Sequence, residues 1–328
     1  MATYYGTYGQ KVQYLASDPS DPQTGQVWYN STSAVLKVRS VTTVGTFAAG
    51  GNLNTGVEQN AGVGTQSAAL SIGGALPPGL GTSATELYNG TSWTATGSLN
   101  TARRGIAAAG TQTAAVAATG YPGTGPVVTT VTELWNGTSW TNNPTGVNTG
   151  RSNGVGTGLQ TAALAFGGEV PPYQTATEKF NGSTWTSVNN MNTARTQLGG
   201  CGIQTASLAF GGEVPAPTNH STATESYNGT SWTTVNSLNT GRAGIGGAGS
   251  QTSAVAFGGT TGSVTGATEI WNGTAWTSNP TGLATVRRLM GSAGIQTAAL
   301  AFGGTSPTAA TEEWTGPGVA QTQTVTVS

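Results

Sequence analysis

The sequence contains few charged residues: Lys, Arg, Asp and Glu together make up 7 % of its 328 residues. Typical soluble proteins carry roughly 25 %. The net charge of −1 leaves no basic field for nucleic acid and no polybasic patch for anionic lipid. The chain also lacks an 18-residue apolar run. We therefore expect neither nucleic-acid binding nor membrane insertion.

Cysteine, histidine and aspartate are also scarce. Cys201 is the only cysteine, which excludes a disulfide framework, and we expect it to be a buried small residue. His220 is the only histidine, whereas copper and zinc centres usually need several. The only aspartates, Asp18 and Asp21, precede the repeats described below, so a Ser-His-Asp triad cannot form there. We expect no cofactor, no metal and no catalytic residue.

The start of the sequence, MATYYGTYGQKVQYLASD, lacks the apolar core of a signal peptide. We therefore expect synthesis in a cytoplasm without passage through the ordinary secretory route. The recurring Asn-Gly-Thr/Ser triplets match the glycosylation sequon, but in this setting they are interpreted as turns.

One sequence unit recurs six times. A Thr-Glu pair returns every 43 to 47 residues, preceded by a strand such as IQTAALAFGG and followed by Trp and Arg. The glutamates are Glu86, Glu133, Glu178, Glu225, Glu269 and Glu312. The tryptophans are Trp93, Trp140, Trp185, Trp232 and Trp276, and the arginines are Arg103, Arg151, Arg195, Arg242 and Arg287. This period, with short strands and no helical pattern, predicts four-stranded propeller blades.

Four strands can be assigned within one unit, at about 105–110, 113–120, 131–136 and 139–143. The first contains mainly small residues, which allows it to crowd around a central axis. Asn-Gly lies between the third and fourth strands and predicts a type I′ hairpin, a turn with positive φ at both central residues.

The order of Arg, small-residue strand, Gly pair, turn and Trp resembles the kelch repeat over about residues 46–314. The resemblance implies an all-β fold, a six-bladed kelch-like β-propeller of four-stranded blades. Two positions of the repeat depart from the pattern. Val57 stands in place of the first Arg, and the sixth unit ends without its Ser-Trp.

The missing Ser-Trp predicts where the ring closes. GTFAAGGNLNT (45–55) matches SWTATGSLNT, with Phe47 in the place of Trp93. We therefore expect about 41–50 to be the outer strand of the last blade and about 319–328 to be an added edge strand. The predicted domains are a leading segment, 1–40, and a propeller, 41–328.

The repeated residues are interpreted as structural. Buried charges are costly unless they are paired, so each Glu should pair with an Arg and tie one blade to the next. The tryptophans should pack between blades. The connections between second and third strands vary most, and Tyr121, Tyr173, Asn219 and His220 are the candidate ligand anchors. Alternatively, these connections are tolerant surface loops.

The leading segment DPSDPQTGQVWYNSTSAVLKV, together with the NGTSW repeats, resembles predicted structural proteins of marine bacteriophages, of the tail-fibre, capsid-fibre or decoration type. The resemblance implies a non-enzymatic virion surface protein that is attached to other virion proteins through 1–40, presents its propeller to host-surface glycan or protein, and occurs as symmetric copies. An intracellular kelch-type scaffold remains an alternative, as does a glycan-active enzyme that uses Glu169, Glu213 or a blade glutamate. Residues 25–38 should form a hairpin.

Overall fold

The computed structural model describes residues 12–41, 44–123, 127–217, 219–318 and 320–325. The described part of the chain is all-β, and within it no helix is long and apolar enough to cross a membrane. Parts of several predicted elements lie outside the described residues, namely 1–11, 42–43, 124–126, 218, 319 and 326–328. The chain divides into two compact units, one built from 46–314 and the other from the described residues of 1–45 and 315–328.

The first unit, here called the repeat unit, contains six four-stranded antiparallel sheets. In five of them the four strands follow one another along the chain, as expected for strands joined by short turns. This architecture is consistent with a repeat β-propeller-like fold. Sheet 1 comprises Ala61–Thr65, Ala68–Ile72, Thr85–Tyr88 and Trp93–Ala95; sheet 2, Ala107–Gly110, Ala115–Ala118, Thr132–Trp135 and Trp140–Asn142; sheet 3, Val155–Leu159, Ala162–Phe166, Thr177–Phe180 and Trp185–Val188. Sheet 4 comprises Gly199–Ile203, Ala206–Phe210, Thr224–Tyr227 and Trp232–Val235; sheet 5, Gly246–Gly249, Ala254–Phe257, Thr268–Trp271 and Trp276–Asn279; sheet 6, Gly291–Ile295, Ala298–Phe302, Thr311–Thr315 and Thr46–Ala49.

Two small hairpin-like pairs lie in the connections. Ala75–Leu76 pairs with Leu80–Gly81, and Arg103–Arg104 pairs with Tyr121–Pro122. The second pair joins the segment that enters sheet 2 to the connection that leaves its second strand, so both chain segments lie at the same end of the sheet.

Sheet 6 combines the two ends of the repeat unit. Its fourth strand, Thr46–Ala49, lies beside Thr311–Thr315, and the Gly50 amide donates to the Thr311 carbonyl at 2.9 Å. The Phe47 ring contacts Trp314 at a centroid distance of 4.9 Å and Phe257 at 5.5 Å. Phe47 therefore occupies the aromatic position that tryptophan holds in the other five sheets.

The first strands of successive sheets approach one another closely, which explains their small residues. A Cβ atom added at Gly62 of sheet 1 would lie 2.4 Å from the Ser292 carbonyl oxygen of sheet 6. A Cβ at Gly156 of sheet 3 would lie 2.4 Å from the Ala108 carbonyl oxygen of sheet 2. A side chain at either glycine would force the backbones apart, so the sequence uses residues without one.

Glutamine side chains join neighbouring sheets at the turns between first and second strands. Each donates from Nε2 to two backbone carbonyls of the preceding sheet; Gln204, for example, bonds Ala163 at 3.0 Å and Phe180 at 2.7 Å. Gln66 makes the same pair of bonds from sheet 1 to Ala299 and Trp314 of sheet 6. The set is Gln66, Gln112, Gln160, Gln204, Gln251 and Gln296.

The Asn-Gly turns differ from the expected type I′ hairpin. Asn89 does not have positive φ, whereas Gly90 has φ 92°. The Asn89 side-chain oxygen accepts the amides of Thr91 and Ser92 at 3.0 and 2.9 Å. This Asx turn fits a four-residue connection, in which the asparagine is required for its oxygen and only the glycine for its backbone freedom.

The second unit, here called the leading sheet, contains four strands in the order Gln13–Leu15, Val27–Asn30, Val35–Val41 and Ala320–Val325. The hairpin predicted at 25–38 is confirmed, with Val27 opposite Val38. The C-terminal strand, predicted as an edge strand of the propeller, instead pairs antiparallel with Val35–Val41. This pairing has a physical cause. The hairpin leaves backbone groups unpaired on the outer edge of Val35–Val41, and the C-terminal strand forms hydrogen bonds with them.

Asp18 holds the leading sheet together by three side-chain contacts. It receives Lys37 Nζ at 2.6 Å, Asn30 Nδ2 at 2.7 Å and the Trp28 indole N–H at 3.0 Å. Trp28 is fully buried. The bond from Lys37, followed by those from Asn30 and Trp28, lowers the pKa of Asp18 from 3.8 to about 2.

We expect the Trp28 indole N–H resonance to titrate with a midpoint near pH 2, because its acceptor, Asp18, ionises there. Since the pKa is lowered on folding, the contribution of Asp18 to stability is present above about pH 4 and is lost as the pH falls through 2. A pH series of NMR spectra measures this, with Asp18→Asn as the control that should not titrate. A midpoint near 4 in the unchanged protein would contradict the assigned hydrogen bonds.

Candidate functional site

Five arginine–glutamate ion pairs lie buried in the repeat unit. Their N–O distances are 2.6 to 3.1 Å, and no side chain is more than 5 % exposed. The pairs are Arg103–Glu133, Arg151–Glu178, Arg195–Glu225, Arg242–Glu269 and Arg287–Glu312.

Arg195 shows how each pair spans two sheets. Its backbone carbonyl accepts the Gly168 amide beside sheet 3, at 2.8 Å. Its guanidinium reaches sheet 4, donating to the Gly211 and Ala223 carbonyls at 2.9 and 2.7 Å and to Glu225 at 2.8 Å. Burial lowers the pKa of Arg195, and the neighbouring Glu225 acts in the opposite direction. The arginine stays charged, since its ordinary pKa is far above neutrality.

The second oxygen of each repeated glutamate accepts a backbone amide from the segment that enters its sheet, at 2.6 to 2.9 Å. Five of the six donors are asparagines whose side chains also bond the carbonyl of a repeated Trp. Sequence reasoning did not assign this role, although the repeated Leu-Asn-Thr was a usable signal. The donors are Asn54, Asn100, Asn148, Asn192, Asn239 and Ala284.

Glu86 differs from the other five glutamates. It is 6 % exposed and accepts the backbone amide and side-chain amide of Asn54 at 2.9 and 2.6 Å. Within the described residues it has no ion-pair partner, because Val57 stands in the arginine slot.

The repeated tryptophans join each sheet to the one before it. Each indole N–H donates to a threonine hydroxyl of the preceding sheet at 3.0 Å, and each ring is 5–7 % exposed. The threonine is the residue before the repeated glutamate. The pairs are Trp93–Thr311, Trp140–Thr85, Trp185–Thr132, Trp232–Thr177 and Trp276–Thr224.

Six residues that precede the first strands form a closed cycle of backbone hydrogen bonds. Each amide donates to the carbonyl of the equivalent residue in the preceding repeat, at 2.7 to 2.9 Å. All six have positive φ, between 51° and 66°. The cycle is Gln59, Gly105, Asn153, Gln197, Gly244 and Leu289, and Gln59 closes it by donating to Leu289. These residues line a cavity of about 80 Å³, here called the mouth.

Most of the remaining charge in the repeat unit lies around the mouth. Outside the ion pairs and Glu86, its charged residues are Glu58, Arg104, Glu169, Lys179, Glu213, Arg288 and Glu313. Glu58, Arg104 and Arg288 directly precede residues of the cycle. Glu169 and Glu213 pair through their backbones with Ser152 and Thr196, which also precede cycle residues. A chain with so little charge thus places five charges outside the ion pairs in the segments that border the mouth.

Two of the four predicted anchors contact these carboxylates. The Tyr121 hydroxyl donates to Glu169 at 3.3 Å, and the Tyr173 hydroxyl donates to Glu213 at 2.8 Å. Burial, followed by the bond to Glu213, raises the pKa of Tyr173 to about 12, so it remains a donor at neutral pH. The guanidinium of Arg104 lies 5.1 Å from the centre of the Tyr121 ring.

The other two anchors are Asn219 and His220. His220 pairs through its backbone with Glu213 and is half-buried. Asn219 is exposed, with φ 52°, and its carbonyl accepts the Val214 amide at 3.0 Å. Both lie on the same connection as Glu213, so the structure brings His220, Tyr173 and Glu213 together and leaves Asn219 at the surface.

Sequence reasoning missed the residues of the mouth that are not on the variable connections. Asn153 Nδ2 donates to Glu169 at 3.0 Å, and Arg104 donates to the Gln59 side-chain oxygen at 2.9 Å. Both positions vary between units, so the repeat gave no signal for them.

Cys201 lines a second cavity, of about 110 Å³, to which the first strands of all six sheets contribute. Burial raises the pKa of its thiol to about 12, which keeps it protonated and unreactive at neutral pH. Among the described residues, no group of three or more His, Cys, Asp or Glu side chains could hold a metal ion.

The cavity itself is lined by the cycle residues and the residues that follow them, and the adjoining segments carry carboxylates, two arginines and two tyrosines. The sequence matches no protein-family model and no curated protein.

Proposed function

We propose that the repeat unit is a closed, six-bladed kelch-like β-propeller, with each sheet as one blade. The support is the cycle of six backbone hydrogen bonds, in which Gln59 of the first repeat bonds Leu289 of the last. Gln66 and Trp93 of sheet 1 also bond sheet 6 in the way that their equivalents bond other neighbours. Closure removes the exposed faces that an open array would have at its ends.

We further propose that the protein is a non-enzymatic surface protein of a bacteriophage particle, whose mouth recognises a host-surface glycan or protein. The proposed recognition site rests on one observation: charged residues and tyrosines are concentrated around the mouth. The repeated polar residues elsewhere are already used in bonds between neighbouring sheets. Rigid scaffolds with variable connections commonly bind ligands in this way. The phage setting rests on the sequence resemblance described above.

The leading sheet is proposed to attach the protein to the particle. The Tyr14 ring is 76 % exposed and stacks on Tyr29 at 5.2 Å, which gives this small sheet an aromatic surface for a partner. Symmetric copies are proposed because particle attachment sites are symmetric. Immunogold electron microscopy of purified particles tests the location, and absence of the label from particles would refute it.

Binding at the mouth is tested on an array of bacterial capsular and lipopolysaccharide glycans. We expect the double variant Tyr173→Phe, Glu213→Gln to bind a recognised glycan at least about tenfold more weakly, because it removes a hydroxyl and a carboxylate from the proposed site. A tenfold loss of affinity corresponds to about 1.4 kcal/mol. Thr230→Ala is the matched control, since it lies in an exposed turn at the other end of sheet 4.

Equal binding by the double variant and the wild type would rule out the mouth as the recognition site. The same glycans can be assayed for released reducing ends. A release that is lost in Glu169→Gln or Glu213→Gln would replace the proposal with a glycan-active enzyme. Binding of an intracellular protein by the mouth, with no binding of any host-surface glycan or protein, would favour an intracellular scaffold.

A further inference from the structure

The first repeat differs from the others because Val57 stands at the position of the arginine, whereas the glutamate is retained as Glu86. The Val57 carbonyl accepts the Gly304 amide at 2.7 Å, the bond that Arg195 makes with Gly168 at 2.8 Å. The backbone of the slot is therefore unchanged. Valine carries no charge, so it cannot replace the arginine as the partner of Glu86, which is 6 % exposed.

The oxygens that would receive the guanidinium are also retained. In sheets 2, 4 and 5 an arginine Nη1 donates to two carbonyls, such as those of Gly211 and Ala223. Their counterparts in sheet 1 are Gly73 and Ala84. The Gly73 amide donates to Ala84 at 2.8 Å, just as Gly211 donates to Ala223 at 3.0 Å. By the register of the repeat, these two carbonyls and the Glu86 carboxylate correspond to the three groups that accept the guanidinium in those sheets.

We propose that this position, here called the seam site, binds a hard metal cation, sodium or calcium, in place of the guanidinium. A buried carboxylate is costly without a partner of opposite charge. Carbonyl and carboxylate oxygens are the ligands that hard cations prefer, and water can complete their shell. The seam site needs no cluster of acidic or histidine side chains, because two of its ligands are backbone carbonyls.

The test is thermal unfolding of the full chain in metal-free buffer, with sodium chloride or calcium chloride added and N-methylglucamine chloride keeping the ionic strength constant. We expect one of the two cations to raise the Tm of the wild type saturably, by about 3–5 °C at a tenfold excess over its Kd. Glu86→Gln should abolish this rise. Val57→Arg should abolish it as well, and should raise the Tm without added cation. The two salts distinguish sodium from calcium.

The proposal is overturned if neither cation raises the Tm, or if Glu86→Gln responds as the wild type does. Glu86→Gln preserves the shape of the side chain, so it keeps the test decisive even if Val57→Arg does not fold. Soaking crystals of the wild type separately in thallium(I) acetate, a stand-in for sodium, and terbium(III) chloride, a stand-in for calcium, gives a second measurement. An anomalous peak between Gly73, Ala84 and Glu86 with either ion supports the site, and its absence with both contradicts it.

Discussion

Replacing Arg195 with methionine is expected to lower the stability of the repeat unit by about 3–5 kcal/mol, the usual cost of leaving one charge of a buried pair alone. Arg195 is fully buried, and its removal leaves Glu225 and two carbonyls without the guanidinium that donates to them. Thermal and urea unfolding followed by tryptophan fluorescence measure the loss.

Arg39→Met is the matched control, because Arg39 lies in the leading sheet and its guanidinium makes a weak contact of 3.4 Å with Thr322. It should change stability by less than about 0.5 kcal/mol. The double variant Arg195→Met, Glu225→Met removes both charges and should recover part of the loss. An unchanged Tm in Arg195→Met would show that the pair does not hold the sheets together.

Trp232→Ala is expected to cost about 3–5 kcal/mol, the range for removing a large buried aromatic side chain. Its ring contacts Phe166 of sheet 3 at 4.8 Å and Tyr227 of its own sheet at 5.0 Å, and its indole bonds Thr177. The variant therefore removes both the packing and the polar bond between two sheets.

Thr177→Val separates these contributions, because it removes the hydroxyl and keeps the side-chain volume. We expect it to cost about 1–3 kcal/mol, because it leaves the buried indole N–H of Trp232 without an acceptor. Equal destabilisation of the two variants would mean that the hydrogen bond holds the sheets together and that the packing of the ring adds nothing, which would contradict this expectation.

The repeated parts of the fold were predictable because six copies of one sequence pattern can be compared with one another. Strands predicted at 131–136 and 139–143 are observed at Thr132–Trp135 and Trp140–Asn142. The scarcity of charge also identified glutamate and arginine as partners, since few other residues could neutralise them.

The mouth was harder to predict because its residues are brought together from positions about 45 residues apart. Arg104 and Asn153 vary between units, so repetition does not identify them, and only the hydrogen-bond cycle places them at one opening. The partner of the C-terminal strand was missed for a related reason: alternation predicts a strand but does not say which edge it joins.

Amide hydrogen exchange at the six residues of the cycle tests the closed ring most directly. In a closed ring the amide of Gln59 is protected to the same order as that of Asn153, because both donate to the repeat before them, at 2.7 and 2.9 Å. An open array would protect Asn153 and leave Gln59 exchanging at the rate of an exposed loop such as that at Thr230. We expect equal protection of the two amides, and fast exchange at Gln59 alone would contradict the closed ring.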